Sequence, residues 1–344
     1  MSNSSTIDYA KIFFKGFRTF KKTGKTPFES FMALRNLFVK TNGRFNDWCA
    51  RILKITRGKL KNINAVGVLG NLATHEVEEI VGRLKEDGYY IFPQKLSREI
   101  INDVYQFCLN EPAPYLKVEE NPSGFKIEFS QDKIQFNSKA PVSPRYQFES
   151  EQVFLNRNLQ KLFFDQSILA IANEYFGCRP IADSVALWWS APYHQLGKSE
   201  SAQLFHFDMD KIKFLKFFFY LNDVGPGNGP HCYVRGSHRR LPLPLLRDGR
   251  KNDEEVYSNY QSSDIMEITG EKGTIIAVDT RGLHKGKDLQ DNYRLLFQIE
   301  FAVSMFGADY PSIDFKLVEP EFHSLVEKYP EVYKPIFGRS KTHY

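Results

Sequence analysis

The order of short strand-like runs in the second half of the chain most constrains its fold. Apolar and aromatic runs at residues 185–189, 214–221, 274–278 and 295–303 alternate with turn-rich segments at 225–229 and 247–253. The 30 Phe and 17 Tyr residues favour strands and large apolar cores. Many short strands in this order are typical of a jelly roll. We predict an α+β protein, mostly β with flanking helices, built on a double-stranded β-helix (jelly-roll, cupin-like) core.

Helical patterns lie mainly before these strands. We expect helices at about 75–86, 97–110 and 159–176, and a late helix at 321–328. Residues 1–61 show further helical spacing, interrupted by Gly24 and Pro27. The predicted organisation is a basic helical extension over 1–73, the β-helix domain over 74–305 and a C-terminal helical tail over 306–344.

The tripeptide His206-Phe207-Asp208 is the strongest candidate for a metal site. In an extended strand, residues i and i+2 point to the same face, so His206 and Asp208 would project together. Phe205, Phe207 and Met209 would then turn the other way into apolar packing. An H-x-D tripeptide also occurs by chance, and the strand-like aromatic runs on either side of it favour the metal-site interpretation.

Two further residues complete the constellation. His284 follows the strand-like run Gly273-Thr-Ile-Ile-Ala-Val, and Arg294 lies ten residues later, after a polar turn. Two His and one carboxylate on one face of a metal leave positions open, as in Fe(II) oxygenases. Adjacent antiparallel strands would bring Arg294 close to His284, where a guanidinium suits a dicarboxylate. The alternative for Arg294 is a surface salt bridge.

The segment Tyr220-Leu-Asn-Asp-Val-Gly-Pro-Gly-Asn-Gly-Pro-His-Cys-Tyr-Val-Arg-Gly-Ser-His-Arg resembles a hairpin of the phytanoyl-CoA dioxygenase family. The acidic helix at 75–86 and the run Asp87-Gly-Tyr-Tyr-Ile-Phe-Pro resemble the start of that domain. The resemblance covers about residues 74 to 305. It departs at Val234-Arg235, where the family often has a proline, and at Gly286, where a serine commonly helps to hold the cosubstrate.

The resemblance implies the cofactor and cosubstrates. His206, Asp208 and His284 would bind Fe(II), and Arg294 would pair with the far carboxylate of 2-oxoglutarate, with O2 as the other cosubstrate. Phe218 and Leu187 would border the cosubstrate pocket by alignment of the strands. Because Gly286 lacks a side chain, a second donor to 2-oxoglutarate is unassigned.

The implied activity is that of an Fe(II)- and 2-oxoglutarate-dependent dioxygenase that releases succinate and CO2. Related halogenases have Ala or Gly at position 208, so the carboxylate of Asp208 favours hydroxylation, or a related desaturation or ring closure. The substrate would be a small organic molecule, an acyl-CoA or a carrier-bound acyl group. Two alternatives stay open: a non-catalytic jelly-roll binding protein, and a protein hydroxylase that docks an acidic partner through its basic N-terminus.

Charge is concentrated near the N-terminus. Residues 1–61 contain 14 Lys and Arg against 3 Asp and Glu, whereas the whole chain has a net charge of +5. The alternatives for this region are a helical appendage packed on the barrel, an amphipathic contact with a membrane surface, and a dock for an acidic partner. Nucleic-acid binding is the least favoured, because no recognised motif accompanies the charge.

The location predicted from the sequence is the cytoplasm. The four cysteines are scattered without a C-x-x-C pair and indicate reduced, buried thiols. The N-terminus has no secretory signal pattern. Near the candidate ligands, Lys211, Lys213 and Lys216 could meet an anionic substrate, although solvent-facing positions at a sheet edge explain them more simply. Trp188, Trp189 and Tyr193 are candidates for the substrate entrance or for a structural aromatic belt.

Overall fold

A computed structural model describes residues 5–121, 124–192, 204–290 and 292–338. Tyr193 lies outside these ranges. The strands are β1 (Val66–Gly67), β2 (Gly70–Asn71), β3 (Tyr89–Lys95), β4 (Ala113–Asn121), β5 (Gly124–Ile134), β6 (Arg145–Phe148), β7 (Ile181–Ser190), β8 (Phe214–Tyr220), β9 (His231–Val234), β10 (Ile265–Ile268), β11 (Thr274–Val278), β12 (His284–Gly286) and β13 (Arg294–Ala302).

Two antiparallel sheets form the core of the fold. The large sheet has the order β3-β11-β8-β13-β7-β6-β4-β5, and the small sheet has the order β10-β9-β12. Side chains from both sheets meet between them, including Phe218, Tyr220 and Leu296 from the large sheet and Tyr233 and Ile268 from the small one. The fold is therefore the predicted double-stranded β-helix.

The central strands of the large sheet are buried on both faces. Along β8, Phe218 and Tyr220 face the small sheet, whereas Phe217 and Phe219 belong to the main hydrophobic core beneath the helices. All seven residues of β8 are buried. A strand covered on both sides has an almost continuous apolar sequence, which explains the run Phe214-Leu-Lys-Phe-Phe-Phe-Tyr.

Helices contribute more residues than strands in the described chain. They are α1 (Thr6–Thr23), α2 (Phe28–Thr41), α3 (Arg44–Arg57), α4 (Thr74–Asp87), α5 (Arg98–Asn110), α6 (Ser150–Val153), α7 (Arg157–Phe163), α8 (Gln166–Phe176), α9 (Asp253–Tyr257), α10 (Pro320–Lys328) and α11 (Pro330–Tyr333). None of these helices has the length and apolar character needed to cross a membrane. The four cysteines are buried free thiols.

The helix expected at 159–176 is divided into α7 and α8. Asp165 lies between them and accepts a hydrogen bond from the backbone N–H of Ile168 at 3.0 Å, which caps α8. Its other oxygen accepts from the N–H of Val68 at 2.8 Å. A residue with these two contacts begins a new helix, because its side chain replaces the hydrogen bonds that a continuous helix would make.

The N-terminal helices pack directly on the β-helix. Phe13 of α1 contacts Phe306 with ring centroids 5.1 Å apart, and Phe38 of α2 contacts Phe207 at 5.4 Å. The Asn42 side chain exchanges hydrogen bonds with the backbone of Leu241 at 2.8 and 3.0 Å. The N-terminal helices are thus a helical appendage whose inner face packs on the barrel. The division at residue 73 stays a prediction, because α1–α3 contribute to the same hydrophobic core as the barrel.

Candidate active site

The three predicted ligands converge inside the β-helix. His206 Nε2 lies 3.9 Å from Asp208 Oδ1, and His284 Nε2 lies 3.7 Å from Asp208 Oδ2. One candidate ligand atom from each residue lies within 4.8 Å of the other two. These separations are close to those between atoms that bind one metal ion, and small side-chain rotations would bring all three atoms to bonding distance.

The local backbone at His206 differs from the prediction. Residues 204–209 form no regular strand: Phe205 and His206 make isolated bridges, with Lys251 and His284 respectively. His206 and His284 exchange backbone hydrogen bonds of 2.9 and 2.8 Å, so the two ligand segments hold each other. Phe205, Phe207 and Met209 turn into a separate apolar cluster, as the alternation predicted.

Both histidines are held in the orientation that a metal ligand needs. The Nδ1 of His206 is 3.0 Å from the carbonyl oxygen of Leu204, and the Nδ1 of His284 is 2.9 Å from that of Gly282. A carbonyl only accepts, so Nδ1 carries the proton and Nε2 presents its lone pair to the site. Burial, and then the neighbouring His206, lowers the pKa of His284 to about 3, so this imidazole is neutral at pH 7.

Asp208 is fixed by a lysine. Its backbone N–H donates to the carbonyl of Thr280 at 2.8 Å, and Lys216 Nζ donates to its Oδ2 at 2.8 Å. Burial alone would raise the pKa of this carboxyl group, but the ammonium of Lys216 outweighs it and holds the pKa well below its usual value. The carboxylate is therefore ionised, with one oxygen on the lysine and the other facing His206.

Lys216 belongs to a buried ionic cluster. Its Nζ also lies 3.4 Å from Glu300 and 3.5 Å from Asp210, and Lys211 Nζ lies 3.0 Å from Asp183. Burial raises the pKa of both Glu300 and Asp183. The prediction of solvent-facing lysines is therefore wrong for Lys211 and Lys216, which are 1% and 8% exposed. Two of the acids that compensate them, Asp183 and Glu300, come from strands distant in the sequence.

The loop before His284 is fixed by a second ion pair. Arg281 pairs with Asp279 at 2.9 Å and with Asp47 of α3 at 2.9 Å, and the hydroxyl of Tyr175 donates to Asp279. The backbone N–H of Gly282 donates to the carbonyl of Asp279 at 3.1 Å. Asp279 thus stabilises the segment leading to His284, and α3 takes part in that support.

Arg294 lies at the start of β13 in the large sheet, whereas His284 begins β12 in the small sheet. The expectation of adjacent paired strands is therefore wrong, although both residues face the barrel interior. A Cβ built on Gly286 would lie 3.5 Å from Arg294 Nη2. Arg294 donates to the carbonyl of Gly229. No acidic side chain pairs with Arg294 in the part of the chain that the structure describes.

A second guanidinium, not predicted from the sequence, lies across β7 from Arg294. Arg145 of β6 and Arg294 of β13 both pair in register with Ser190 of β7. The guanidinium of Arg145 lies 4.7 Å from the ring centroid of Trp188, and its Nε is buried without a hydrogen-bond partner among the described residues. Burial, and then Arg294, lowers the pKa of Arg145 to about 10. No motif marks Arg145, because the contact depends on strand register.

The two residues expected to border the cosubstrate pocket lie on opposite faces of the large sheet. Phe218 faces the interior, with its ring 5.1 Å from that of His231. Leu187 is fully buried in the core beneath the helices, while its neighbour Trp188 faces the interior. The prediction for Leu187 is therefore wrong, because successive residues of β7 point to opposite faces and both faces are apolar.

The remaining histidines near the hairpin differ in role. His238 Nε2 is 3.0 Å from the carbonyl of Lys85, which ties the Gly-Ser-His turn to α4. His231 lies with its ring 5.3 Å from that of His284. Its Nε2 is buried without a partner among the described residues.

The donor set fits a particular kind of centre. Two imidazoles that present Nε2 and one carboxylate suit a divalent transition metal such as Fe(II) and leave coordination positions free. The unpaired guanidinium of Arg294 suits a carboxylate of a bound ligand, because five donors in a planar fork match two oxygens. The residues present are therefore compatible with iron and a dicarboxylate bound together.

Residues 84–290, more than half of the chain, match the sequence profile of the phytanoyl-CoA dioxygenase (PhyH) family. The chain belongs to this family. It is an Fe(II)- and 2-oxoglutarate-dependent oxygenase. No curated protein sequence matches the chain.

Several solved structures are similar to this family member. They include AviO1 from Streptomyces viridochromogenes Tue57 (16% identity, TM-score 0.44, 70% of this chain and 100% of that chain covered). The carbocyclase SnoK from nogalamycin biosynthesis has 16% identity and a TM-score of 0.47, with 68% and 85% covered. EctD from S. alaskensis has 15% identity and a TM-score of 0.46, with 73% and 80% covered.

Proposed function

We propose that this enzyme hydroxylates a C–H bond of a small organic molecule, an acyl-CoA or a carrier-bound acyl group. In this proposal His206, Asp208 and His284 bind the iron, and Arg294 binds the far carboxylate of 2-oxoglutarate. The observation that carries the proposal is the pair of imidazoles whose Nδ1 atoms contact backbone carbonyls and whose Nε2 atoms converge on Asp208.

The iron, when bound, would couple the decarboxylation of 2-oxoglutarate to succinate and CO2 with oxidation of the substrate. The residues of the chain supply placement. The carbonyls of Leu204 and Gly282 fix the orientation of the imidazoles, and Lys216 holds one oxygen of Asp208. A carboxylate held in this way offers its other oxygen as a single ligand, which leaves room for the cosubstrate.

Arg294 would fix the position of 2-oxoglutarate relative to the iron by pairing with its far carboxylate. Its buried guanidinium has no acidic partner among the described residues, so a carboxylate that enters the barrel supplies the missing charge. Arg145 is the candidate for a second positive charge in this part of the barrel, because Arg145 and Arg294 pair with Ser190 of β7 from its two sides. Two guanidinium groups favour a dicarboxylate over a neutral or monocarboxylate ligand.

Hydroxylation is favoured over halogenation by Asp208. Related halogenases have Ala or Gly where this chain has Asp208, and a carboxylate there would occupy the position that a halide needs. Phe218 and Trp188 give the barrel interior an aromatic surface for an apolar substrate. This agrees with a family named for an acyl-CoA substrate.

The test of this assignment is an anaerobic titration of the purified protein with Fe(II) and 2-oxoglutarate. We expect a weak visible charge-transfer band only when both are present, and its loss in His284→Ala. The matched control is His323→Ala, because His323 contacts the carbonyl of Val318 outside the barrel. Iron-free protein with no band would support a non-catalytic binding protein instead.

The substrate class is tested by comparing succinate release in the absence and in the presence of candidate substrates. Succinate release above the background with acyl-CoA or small organic compounds would support the proposal, whereas stimulation only by acidic proteins would indicate a protein hydroxylase. Contact of residues 1–61 with an acidic partner or a membrane surface stays a prediction from their charge. The side chains available for it on α3 include the exposed Trp48, Arg51 and Ile55.

A further inference from the structure

We propose that His231 is a second contact of this enzyme for the carboxylate end of 2-oxoglutarate, beside Arg294. The inference rests on the proposed function, since it assigns a further residue to the same cosubstrate. His231 begins β9 in the small sheet and is 6% exposed. Its Nε2 is fully buried and makes no hydrogen bond within the described residues.

The position of His231 is defined by its neighbours on both sides. Across the small sheet it pairs in register with Gly286, and its ring lies 5.3 Å from that of His284 on the same strand, β12. Arg294 donates to the carbonyl of Gly229, two residues before His231. His231 therefore lies between a candidate iron ligand and the guanidinium that would bind the far end of the cosubstrate.

Gly286 leaves the space in front of His231 open. A Cβ at position 286 would lie 3.5 Å from Arg294 Nη2, so the side of Gly286 that lacks a side chain faces the guanidinium. A ligand carboxylate paired with Arg294 would occupy this space. An imidazole with its proton on Nε2 donates one hydrogen bond to such an oxygen, and the buried nitrogen gains the partner that it lacks.

The imidazole of His231 packs between aromatic side chains. Its ring lies 5.1 Å from that of Phe218 and 6.3 Å from that of Tyr233. The apolar ring contacts fix the imidazole, and the unpaired Nε2 is the atom left to meet a ligand.

The experiment measures the dissociation constant of 2-oxoglutarate on Fe(II)-loaded protein without oxygen, from the charge-transfer band. His231→Leu should weaken 2-oxoglutarate binding by about 10- to 100-fold, while its affinity for Fe(II) alone stays that of the wild type. His231→Gln, which keeps an N–H donor, should lose less than about fivefold.

A second substitution tests whether another hydrogen-bond donor at this place can replace His231. Gly286→Ser in the His231→Leu protein places a hydroxyl opposite position 231, where its Cβ makes an ordinary contact with Arg294. We expect it to restore most of the 2-oxoglutarate affinity. Gly286 has no positive φ, so the backbone accepts a serine.

The outcomes separate the two proposals. Unchanged 2-oxoglutarate affinity in His231→Leu, or an equal loss of Fe(II) affinity, would overturn the role of His231 and leave the iron site in place. Wild-type protein that binds iron but no 2-oxoglutarate would overturn the proposed function itself. Should His231→Leu fail to fold, His231→Gln and Gly286→Ser in the His231→Gln protein give the same comparison, and no gain from the serine would contradict the assignment.

Discussion

Buried charge is handled in opposite ways in two parts of the barrel. Around Asp208, the ammonium groups of Lys216 and Lys211 each lie within 3.5 Å of a buried acid. Around Arg294 and Arg145, no acidic side chain of the described residues compensates the guanidinium groups. A paired cluster stabilises the protein's own structure, whereas an unpaired buried charge is retained where a ligand supplies the opposite charge.

We expect the largest effect on activity from a substitution of Asp208, the member of the paired cluster that faces the metal site. Asp208→Ala removes the carboxylate of the candidate metal site and leaves the ammonium of Lys216 beside it. We expect the charge-transfer band to disappear and substrate-coupled succinate release to fall by more than about 100-fold. Succinate release at the wild-type rate from this variant would remove Asp208 from the metal site.

Lys216→Met breaks the paired cluster and keeps all three candidate metal ligands, although Asp208 loses its hydrogen bond from the lysine. It leaves Asp208 and Glu300 without their cation, and we expect the free energy of unfolding to fall by about 3–5 kcal/mol. The control is Lys95→Met, since Lys95 pairs with Glu271 at the surface, where the loss should be below about 1 kcal/mol. Equal effects of the two substitutions in chemical denaturation would show that the buried cluster adds nothing.

Arg294→Met should have the opposite character. Because no acid is left unpaired, we expect no loss in the free energy of unfolding of the ligand-free protein. The affinity for 2-oxoglutarate should fall by about 30-fold or more, from about 2–5 kcal/mol for a buried charge pair. Arg157→Met, at an exposed pair with Glu321, serves as the control in the same calorimetric titration. If the variant is destabilised but binds 2-oxoglutarate normally, Arg294 stabilises the folded protein and does not bind the cosubstrate.

Arg145→Met gives the smallest expected effect. Arg145 is half-buried, so solvent and salt screen its charge more than that of Arg294. We expect 2-oxoglutarate binding to weaken by about 3- to 10-fold, with greater loss at low ionic strength. A loss larger than that of Arg294→Met would exchange the roles of the two arginines.

The sequence was sufficient to predict those site residues that are marked by local spacing or by a neighbouring strand-like run. His206 and Asp208 share a face by local spacing, and His284 and Arg294 follow recognisable strand-like runs. Residues 204–209 nevertheless form no regular strand, because His206 contributes one bridge to His284 rather than a ladder. The two side chains still converge, since Thr280 and His284 fix the backbone on either side.

The residues that could not be predicted are brought together by register between distant strands. Arg145 and Arg294 lie on either side of Ser190 only because both strands pair with β7 in that register. His231 comes to the region of Arg294 only because the small sheet packs against the large one. The burial of Lys216 was hidden, because a lysine among aromatic residues does not reveal its acidic partner. For Leu187, a strand that is apolar on both faces gives no indication of which residues face inward.

The central place of β13 in the large sheet has a consequence for anyone who shortens this protein. The family match ends at residue 290, before β13 begins at Arg294. A fragment cut at that limit would lose the strand between β7 and β8 and expose two long apolar edges to other chains. We expect such a fragment to aggregate, so the unit of folding extends past the unit of homology.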